Sequence, residues 1–187
     1  MFKSPNLFHK TTQCFNLFEN KNNLLNLLDD ITKKLNIPAT IIGGAALPKY
    51  NYNRATEDID LITTVENAYT LGNELTKLSS FKFIGHSKFM HNSGIAINFC
   101  PEGIQAGHYK FPPPESNKPG LSYISLPKLL SMKIQSKRLK DRADYVELIK
   151  RNNLTIDYID DKVIPLLGKM DKKWASYLYN QAQKEIT

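Results

Sequence analysis

Apolar residues recur at intervals of three and four positions near the start of the chain, and this spacing predicts a helix with one buried face. Pro38 ends the predicted helix after Asn36, because proline fixes φ and has no N–H to donate. The apolar positions of this helix are Leu24, Leu27, Leu28, Ile31 and Leu35.

Short segments with β-branched and apolar residues follow, and they predict the strands of a sheet. The first, "ATIIGGAAL", is a buried strand that turns at Gly43 and Gly44, and "DIDLITT" alternates polar and apolar residues as a strand does. Residues 66–79 are predicted to be helical. Two further strands are predicted in "FKFIGH" and "SGIAINF".

The Pro-rich stretch "KFPPPESNKPG" predicts a loop, because its prolines remove hydrogen-bond donors and fix φ. The back part after this loop is predicted to be all helical, with helices over 126–151 and about 157–167. A last helix carries Trp174, Tyr177, Leu178 and Ala182 on a single face. We interpret Trp174, Tyr177 and Tyr179 as core and helix packing rather than as a base-stacking platform.

These elements predict an α+β fold, in which a small mixed sheet is flanked by helices and a C-terminal helical part closes one side of a cleft. Residues 1–125 would form the core with its N-terminal helix, and 126–187 the helical part that packs on it. With 187 residues, the whole chain can also be counted as one domain.

Composition indicates the cellular compartment of the protein and the chemical class of its partners. No run of 18 apolar residues exists, "MFKSPNLFHK" lacks the pattern of a secretory signal, and Cys14 and Cys100 provide no disulfide framework. We therefore expect a cytoplasmic protein without a membrane partner. The net charge of +7 favours anionic partners such as nucleotides or nucleic acid, although Lys-rich compositions also arise without such a function.

A glycine pair followed by two spaced aspartates is the strongest chemical signal. In a strand, Asp58 and Asp60 project to one side, with Cα atoms roughly 6.5–7 Å apart. Two carboxylates this close can share a hard cation such as Mg²⁺ or Mn²⁺. Gly43 and Gly44 lie where a strand turns into a helix, and there they would let a polyphosphate approach the backbone amides.

The combination of an apolar strand, Gly43-Gly44, and Arg54, Thr56, Asp58 and Asp60 in "RATEDIDL" resembles the nucleotidyltransferase superfamily, which has the polymerase-beta-like fold. The similarity runs from about Ile41 to Leu148 and is greatest to minimal and toxin-type bacterial members. It implies transfer of a nucleoside monophosphate from an NTP to an acceptor hydroxyl. The acceptor would be tRNA or a protein, and an antitoxin partner would accompany a toxin.

The resemblance also implies roles for individual residues. Asp58 and Asp60 would hold Mg²⁺ or Mn²⁺. The nucleotide-binding residues would be Gly43, Gly44, Arg54, Thr56, Lys133, Lys137 and Asp141, with Asp141 ordering the basic side chains around the triphosphate.

Asn98 departs from the family pattern, because it stands where relatives carry a third carboxylate. An amide oxygen can ligate a metal, but an amide cannot take a proton from an attacking hydroxyl. Two interpretations remain open. Either Asp58, Asp60 and Asn98 form a working catalytic site, with Glu102 as the nearest acidic candidate for a base, or the site binds a nucleotide without turning it over.

The back helix also has two interpretations. Its basic residues would cover a solvated face, with pairs from Lys137 to Asp141 and from Lys140 to Asp144, or they would bind the triphosphate and a nucleic acid. Beside an enzyme and a nucleotide- or RNA-binding module, a structural or interaction protein is the third function class. The basic residues are Lys128, Lys133, Lys137, Arg138, Lys140, Arg142, Lys150 and Arg151.

Overall fold

The computed structural model describes the backbone of residues 7–106 and 109–185, and the side chains of 19–106 and 109–185. The side chain of Cys14 lies outside the described residues. Among the described residues, none of the helices combines the length and apolar character that a membrane crossing requires.

A six-stranded mixed sheet forms the centre of the molecule, in the order β3-β4-β5-β2-β1-β8. Strand β2 pairs parallel with β5 and antiparallel with β1, while β1 pairs parallel with β8 at the far edge. The strands are β1 Pro38–Ile42, β2 Asp58–Thr63, β3 Phe81–Gly85, β4 Lys88–His91, β5 Ala96–Pro101 and β8 Gly120–Tyr123, and a separate hairpin joins β6 Gln105–Ala106 to β7 Tyr109–Lys110.

The front helices occupy the predicted positions. Helix α1 spans Leu7–Lys34, and Asn36 then takes a left-handed conformation with φ of 58°. Helix α2 spans Val65–Thr76 and provides part of the crossover that the parallel β2–β5 pair requires. The mixed α+β architecture predicted from the sequence is therefore confirmed.

The back part contains helices α3 Leu126–Gln135, α4 Leu139–Arg151, α5 Ile156–Tyr158 and α6 Lys169–Lys184. A π-helical turn over Ile159–Val163 and a 3-10 turn over Ile164–Leu166 follow α5. The predicted single helix over 126–151 is wrong, because the chain turns sharply between α3 and α4. Lys137 adopts a left-handed φ of 60° there, and Arg138 is extended.

The aromatic residues of α6 also differ from the prediction of core packing. Ala175, Leu178 and Ala182 are the buried residues of this helix, whereas Trp174 is 40% exposed and Tyr177 is 54% exposed. Tyr179 packs partly against the core, as expected. Helix α6 contacts α3 and α4, and its buried positions are taken by Ala175, Leu178 and Ala182, which leaves the rings of Trp174 and Tyr177 partly in solvent.

Candidate active site

The two aspartates and the asparagine lie side by side on neighbouring strands. Asp58 and Asp60 project from one face of β2, and Asp60 is paired with Asn98 in the parallel register with β5. The Asn98 side-chain amide donates a hydrogen bond of 2.6 Å from Nδ2 to Oδ1 of Asp60. The strand alternation seen in the sequence thus brings all three side chains together, and Asn98 faces Asp60 as a donor.

The environment of Asp60 disfavours its ionised form. Burial raises the pKa of Asp60 above its usual range, and the neighbouring Asp58 carboxylate adds to this effect. The hydrogen bond from Asn98 and the charges of Lys133 and Arg138 act in the opposite direction without cancelling the shift. A cation bound nearby would therefore favour the ionised form of Asp60.

The glycine pair lets the turn after β1 approach the acidic residues closely. Gly43 has φ of +65°, and a Cβ atom added to it would lie 2.5 Å from Oδ2 of Asp60. A Cβ atom on Gly44 would lie 2.7 Å from the Thr56 hydroxyl, which donates a hydrogen bond of 2.5 Å to Oδ1 of Asp58. Gly43 lines the cleft, whereas Gly44 is buried behind it. The close contacts with Asp60 and Thr56 therefore require glycine at both positions, whether or not a phosphate binds there.

A buried cluster of charges forms the wall beside Asp60. Lys133 is 4% exposed, and its ammonium group donates hydrogen bonds of 2.7 Å to both Asp141 and Asp144. Arg54, from the loop before β2, donates to the two carboxylate oxygens of Asp144 at 2.9 and 3.0 Å. The cluster therefore ties α3, α4 and the loop before β2 into one unit.

Asp141 occupies the other end of this cluster. It accepts hydrogen bonds from Lys133, from the Ser136 hydroxyl and from Arg138. Burial raises the pKa of Asp141, but these partners outweigh the burial and hold the pKa below its usual range. Asp141 is therefore ionised at neutral pH and orders the basic residues around it.

The pairings expected along the back helix are wrong. Asp141 and Asp144 are bound by Lys133, Arg138 and Arg54, and not by Lys137 and Lys140. Because the helix is interrupted between α3 and α4, Lys137 does not share a helix face with Lys133 and Asp141, and its side chain is exposed. Lys133 is not a free cation at a triphosphate site, since both neighbouring carboxylates hold it.

A cleft of about 340 Å³ opens in front of Asp60. Lys133, Arg138 and Asp141 contribute polar groups to its lining, and apolar and aromatic side chains complete it. The remaining lining residues are Ile42, Gly43, Cys100, Ala106, Tyr109, Phe111, Leu129, Met132, Gln135 and Ser136. No sequence pattern indicates Tyr109, Phe111 or Met132 as site residues, whereas the alternation of side chains along β5 puts Cys100 on the same face as Asn98.

The cleft offers poor candidates for a general base. Burial raises the pKa of the Cys100 thiol and of the Tyr109 hydroxyl far above neutrality, and the charge of Asp60 contributes to both shifts. Glu102 follows the end of β5 and is not among the residues that line the cleft. Its role as a base stays a prediction.

The donor set around Asp60 fits a divalent cation. Among the described residues, no group of three or more His, Cys, Asp and Glu side chains could hold a metal. Asp58 and Asp60 nevertheless present two carboxylates on one face, and burial together with the Asp58 carboxylate raises the pKa of Asp60. Hard cations such as Mg²⁺ prefer carboxylate oxygens and complete their shell with water and substrate.

Comparison with known proteins adds little to this geometry. No family model matches the sequence, and no curated protein matches it. Among solved structures, the chain is similar to the antibiotic-resistance factor ANT(2'')-Ia, with 14% sequence identity and a TM-score of 0.46. The alignment covers 92% of this chain and 98% of that one. The chemical role of this chain is therefore inferred from its site residues.

Proposed function

We propose that the protein is a nucleotidyltransferase that moves a nucleoside monophosphate from an NTP to an acceptor hydroxyl. The observation that carries this proposal is the pair of carboxylates on one face of β2, of which Asp60 lines a cleft together with Gly43, packed against it. The same residues carry the resemblance to the nucleotidyltransferase superfamily.

The charges around the cleft support a metal-dependent reaction. Asp58 and Asp60 place two carboxylates on one face of β2, whereas Lys133 is already paired with Asp141 and Asp144, and Arg138 with Asp141. When bound at Asp58 and Asp60, Mg²⁺ or Mn²⁺ would supply positive charge that offsets the charge of these two carboxylates and of the phosphates.

In the proposed reaction, the acceptor oxygen forms a bond to the α-phosphorus, and the bond from the α-phosphorus to the pyrophosphate oxygen breaks. The acceptor proton passes to solvent water, because Asn98 is an amide and cannot take it. Arg138, whose side chain is largely exposed at the cleft, is the cation best placed to meet the phosphates. Lys133 acts indirectly, by fixing Asp141 and Asp144.

The experiment is transfer of label from each α-labelled NTP to total cellular RNA or protein in the presence of Mg²⁺ or Mn²⁺. Asp60→Ala should abolish the transfer. Glu57→Ala is the matched control, because Glu57 is an exposed carboxylate on the segment leading into β2, just before Asp58. Transfer that persists in Asp60→Ala, or that is lost equally in Glu57→Ala, would refute the assignment.

A nucleotide- or RNA-binding module of the same fold is the second candidate, and it is favoured by one observation. Asn98 donates its amide hydrogen to Asp60, where a third carboxylate would otherwise stand. Such a module would bind Mg²⁺–NTP in calorimetry and release no pyrophosphate with any NTP.

The resemblance to toxin-type members extends the first proposal to a biological role, in which the acceptor is tRNA or a protein and an antitoxin is the partner. Expression of the wild-type protein should then arrest growth, and expression of Asp60→Ala should not. Equal growth with both proteins would argue against a toxin.

A further inference from the structure

Two aromatic rings stand exposed on the surface of α6. The rings of Trp174 and Tyr177 lie 5.7 Å apart, centroid to centroid, and are almost perpendicular at 88°. Together with Met170 and Lys173 they line a shallow notch of about 250 Å³, here called the aromatic notch. Exposed aromatic side chains carry a cost in water, so a surface that groups them points to a ligand with apolar faces.

Arg142 of α4 holds the tryptophan in place. Its guanidinium carbon lies 4.1 Å from the centroid of the Trp174 ring, which is the geometry of a cation–π contact. Because one side of the indole is covered in this way, the ring is oriented before any ligand arrives. The aromatic notch is therefore preorganised and not merely an exposed patch.

The aromatic notch lies close to the cleft along α4. Arg138, the N-cap residue of α4, lines the cleft, and Arg142 lies in the first turn of α4, where its backbone N–H donates to the Arg138 carbonyl oxygen at 3.1 Å. Contacts join Arg142 to Trp174 and Lys150 to Glu185, so α4 and α6 run in the same direction. The start of α6, which carries Met170 and Lys173, is thus at the cleft end of the pair.

Positive charge surrounds this end of the molecule. The segment "KMDKKW" contributes Lys169, Lys172 and Lys173 against one acid, Asp171, and all three lysines are exposed. Lys137, at the turn between α3 and α4, is exposed as well. The carboxylates of Asp141 and Asp144 are buried and already paired, so they do not offset this charge at the surface, whereas the exposed Asp160, whose charge acts on Tyr145 beside Ala175, is a single acid close to α6.

We propose that the aromatic notch and the lysines around it bind the end of a single-stranded nucleic acid, and that this strand is the acceptor. A base would stack in the aromatic notch, and phosphates would lie along Lys169, Lys172 and Lys173. This inference rests on the proposed nucleotidyltransferase function. The terminal ribose hydroxyl would supply the oxygen that bonds to the α-phosphorus, while pyrophosphate leaves and the hydroxyl proton passes to water.

A single strand suits this surface better than a duplex or an acidic protein. Base faces are free in a single strand and hidden in a duplex, whereas the aromatic notch offers ring faces and edges without a groove-filling element. An acidic protein would match the lysines, but it would leave the paired aromatic rings without a planar partner.

Trp174 makes a direct test possible, because it is the one tryptophan in the chain. We expect a short oligoadenylate RNA to quench the fluorescence of the full-length protein at low salt, and the same strand annealed to its complement to quench it much less. Tyr177→Ala, followed by fluorescence, and Trp174→Ala, followed by anisotropy of labelled RNA, should each weaken binding roughly 5- to 150-fold, the range expected for loss of one stacked base.

The matched control is Tyr69→Ala, which removes a tyrosine that is 74% exposed on α2 and should leave RNA affinity unchanged. Lys173→Gln should lower the slope of log affinity against log salt by about one. Thermal melts of all variants would show that the fold is intact. If Trp174→Ala and Tyr69→Ala bind RNA equally, or if RNA binds without quenching Trp174, the aromatic notch is not the site.

Binding of Mg²⁺–NTP, measured by calorimetry on the same proteins, separates this inference from the function on which it rests. We expect Trp174→Ala to keep the wild-type NTP affinity while losing RNA affinity. If the wild-type protein binds Mg²⁺–NTP, but an acidic peptide or the duplex binds better than the single strand, the inference about the aromatic notch is refuted while the proposed nucleotidyltransferase function stands. RNA binding that requires Trp174 in a protein without NTP binding would support the notch and refute the transferase.

Discussion

Asp144→Asn should destabilise the protein strongly, because Asp144 is the shared partner of two cations in a buried cluster. Asp144 is 1% exposed and accepts from Lys133 at 2.7 Å and from Arg54 at 2.9 and 3.0 Å. Asparagine has nearly the same shape and leaves no cavity. The loss should therefore be electrostatic, with amide hydrogens set against positively charged groups.

The magnitude follows from what each cation retains. Removing one partner of a buried ion pair typically costs about 3–5 kcal/mol of unfolding free energy. Here Lys133 keeps Asp141 at 2.7 Å, and the Arg54 side chain is partly exposed and can be hydrated. We therefore expect the lower end, about 3 kcal/mol, which lowers the melting temperature by about 6–12 °C for a chain of this size.

Glu147→Gln is the matched control for this prediction. Glu147 lies on the same helix and also pairs with two cations, Lys150 and Arg151, but these pairs are at the surface. Helix ion pairs of this spacing contribute about 0.3–0.5 kcal/mol each, so losing both should cost at most about 1 kcal/mol and lower the melting temperature by no more than about 4 °C.

The assay is thermal and urea unfolding of wild type and both variants in the same buffer without divalent cations. Asp144→Asn should also lower the urea midpoint with little change in slope, since the extent of the fold is unaffected. If the two variants lose the same stability, or if Asp144→Asn loses less than about 1 kcal/mol, the buried cluster does not hold the two parts together as described.

Three further predictions concern the carboxylates on β2. Asp60→Asn should stabilise the metal-free protein at pH 7, because the raised pKa of Asp60 means that its ionised form costs stability there. The urea midpoints of the variant and of wild type should converge as pH falls below about 4, where Asp60 is protonated in both the folded and the unfolded state. A difference that stays constant with pH would show that ionisation of Asp60 is not the reason. Asn98→Asp should lower the melting temperature without Mg²⁺ and recover with it, and in a working enzyme should raise transfer by ~10²–10⁴-fold; no change in either melt would exclude repulsion with Asp60. Gly43→Ala should cost about 1–3 kcal/mol in urea unfolding, because it combines φ of +65° with a Cβ atom 2.5 Å from Asp60, and a wild-type midpoint would contradict that crowding.

Strand periodicity explains why part of the site could be predicted from the sequence. Asp58 and Asp60 share a face because side chains alternate along any strand, and "DIDLIT" is a strand by its own composition. The same alternation places Asn98 and Cys100 on one face of β5. These relations are local, so they need no knowledge of the fold.

Pairing between distant segments was harder to predict. The register that sets Asn98 opposite Asp60 depends on β2 and β5 being parallel neighbours, which the residues alone do not indicate. Strands β4 and β8 were missed, because four residues each give too short a pattern beside a hairpin turn and a Pro-rich loop.

The α+β class, the helical back part and the two aspartates on one strand face follow from the amino-acid sequence, because helix and strand periods are properties of neighbouring residues. The contacts of the charged and aromatic residues depend instead on how distant segments pack. The turn at Lys137 separates α3 from α4, which lets Lys133 reach Asp141 and Asp144 and leaves Lys137 in solvent. Trp174 is partly exposed because Ala175, Leu178 and Ala182 take the buried face of α6, and burial depends on which surfaces meet and not only on how apolar a side chain is.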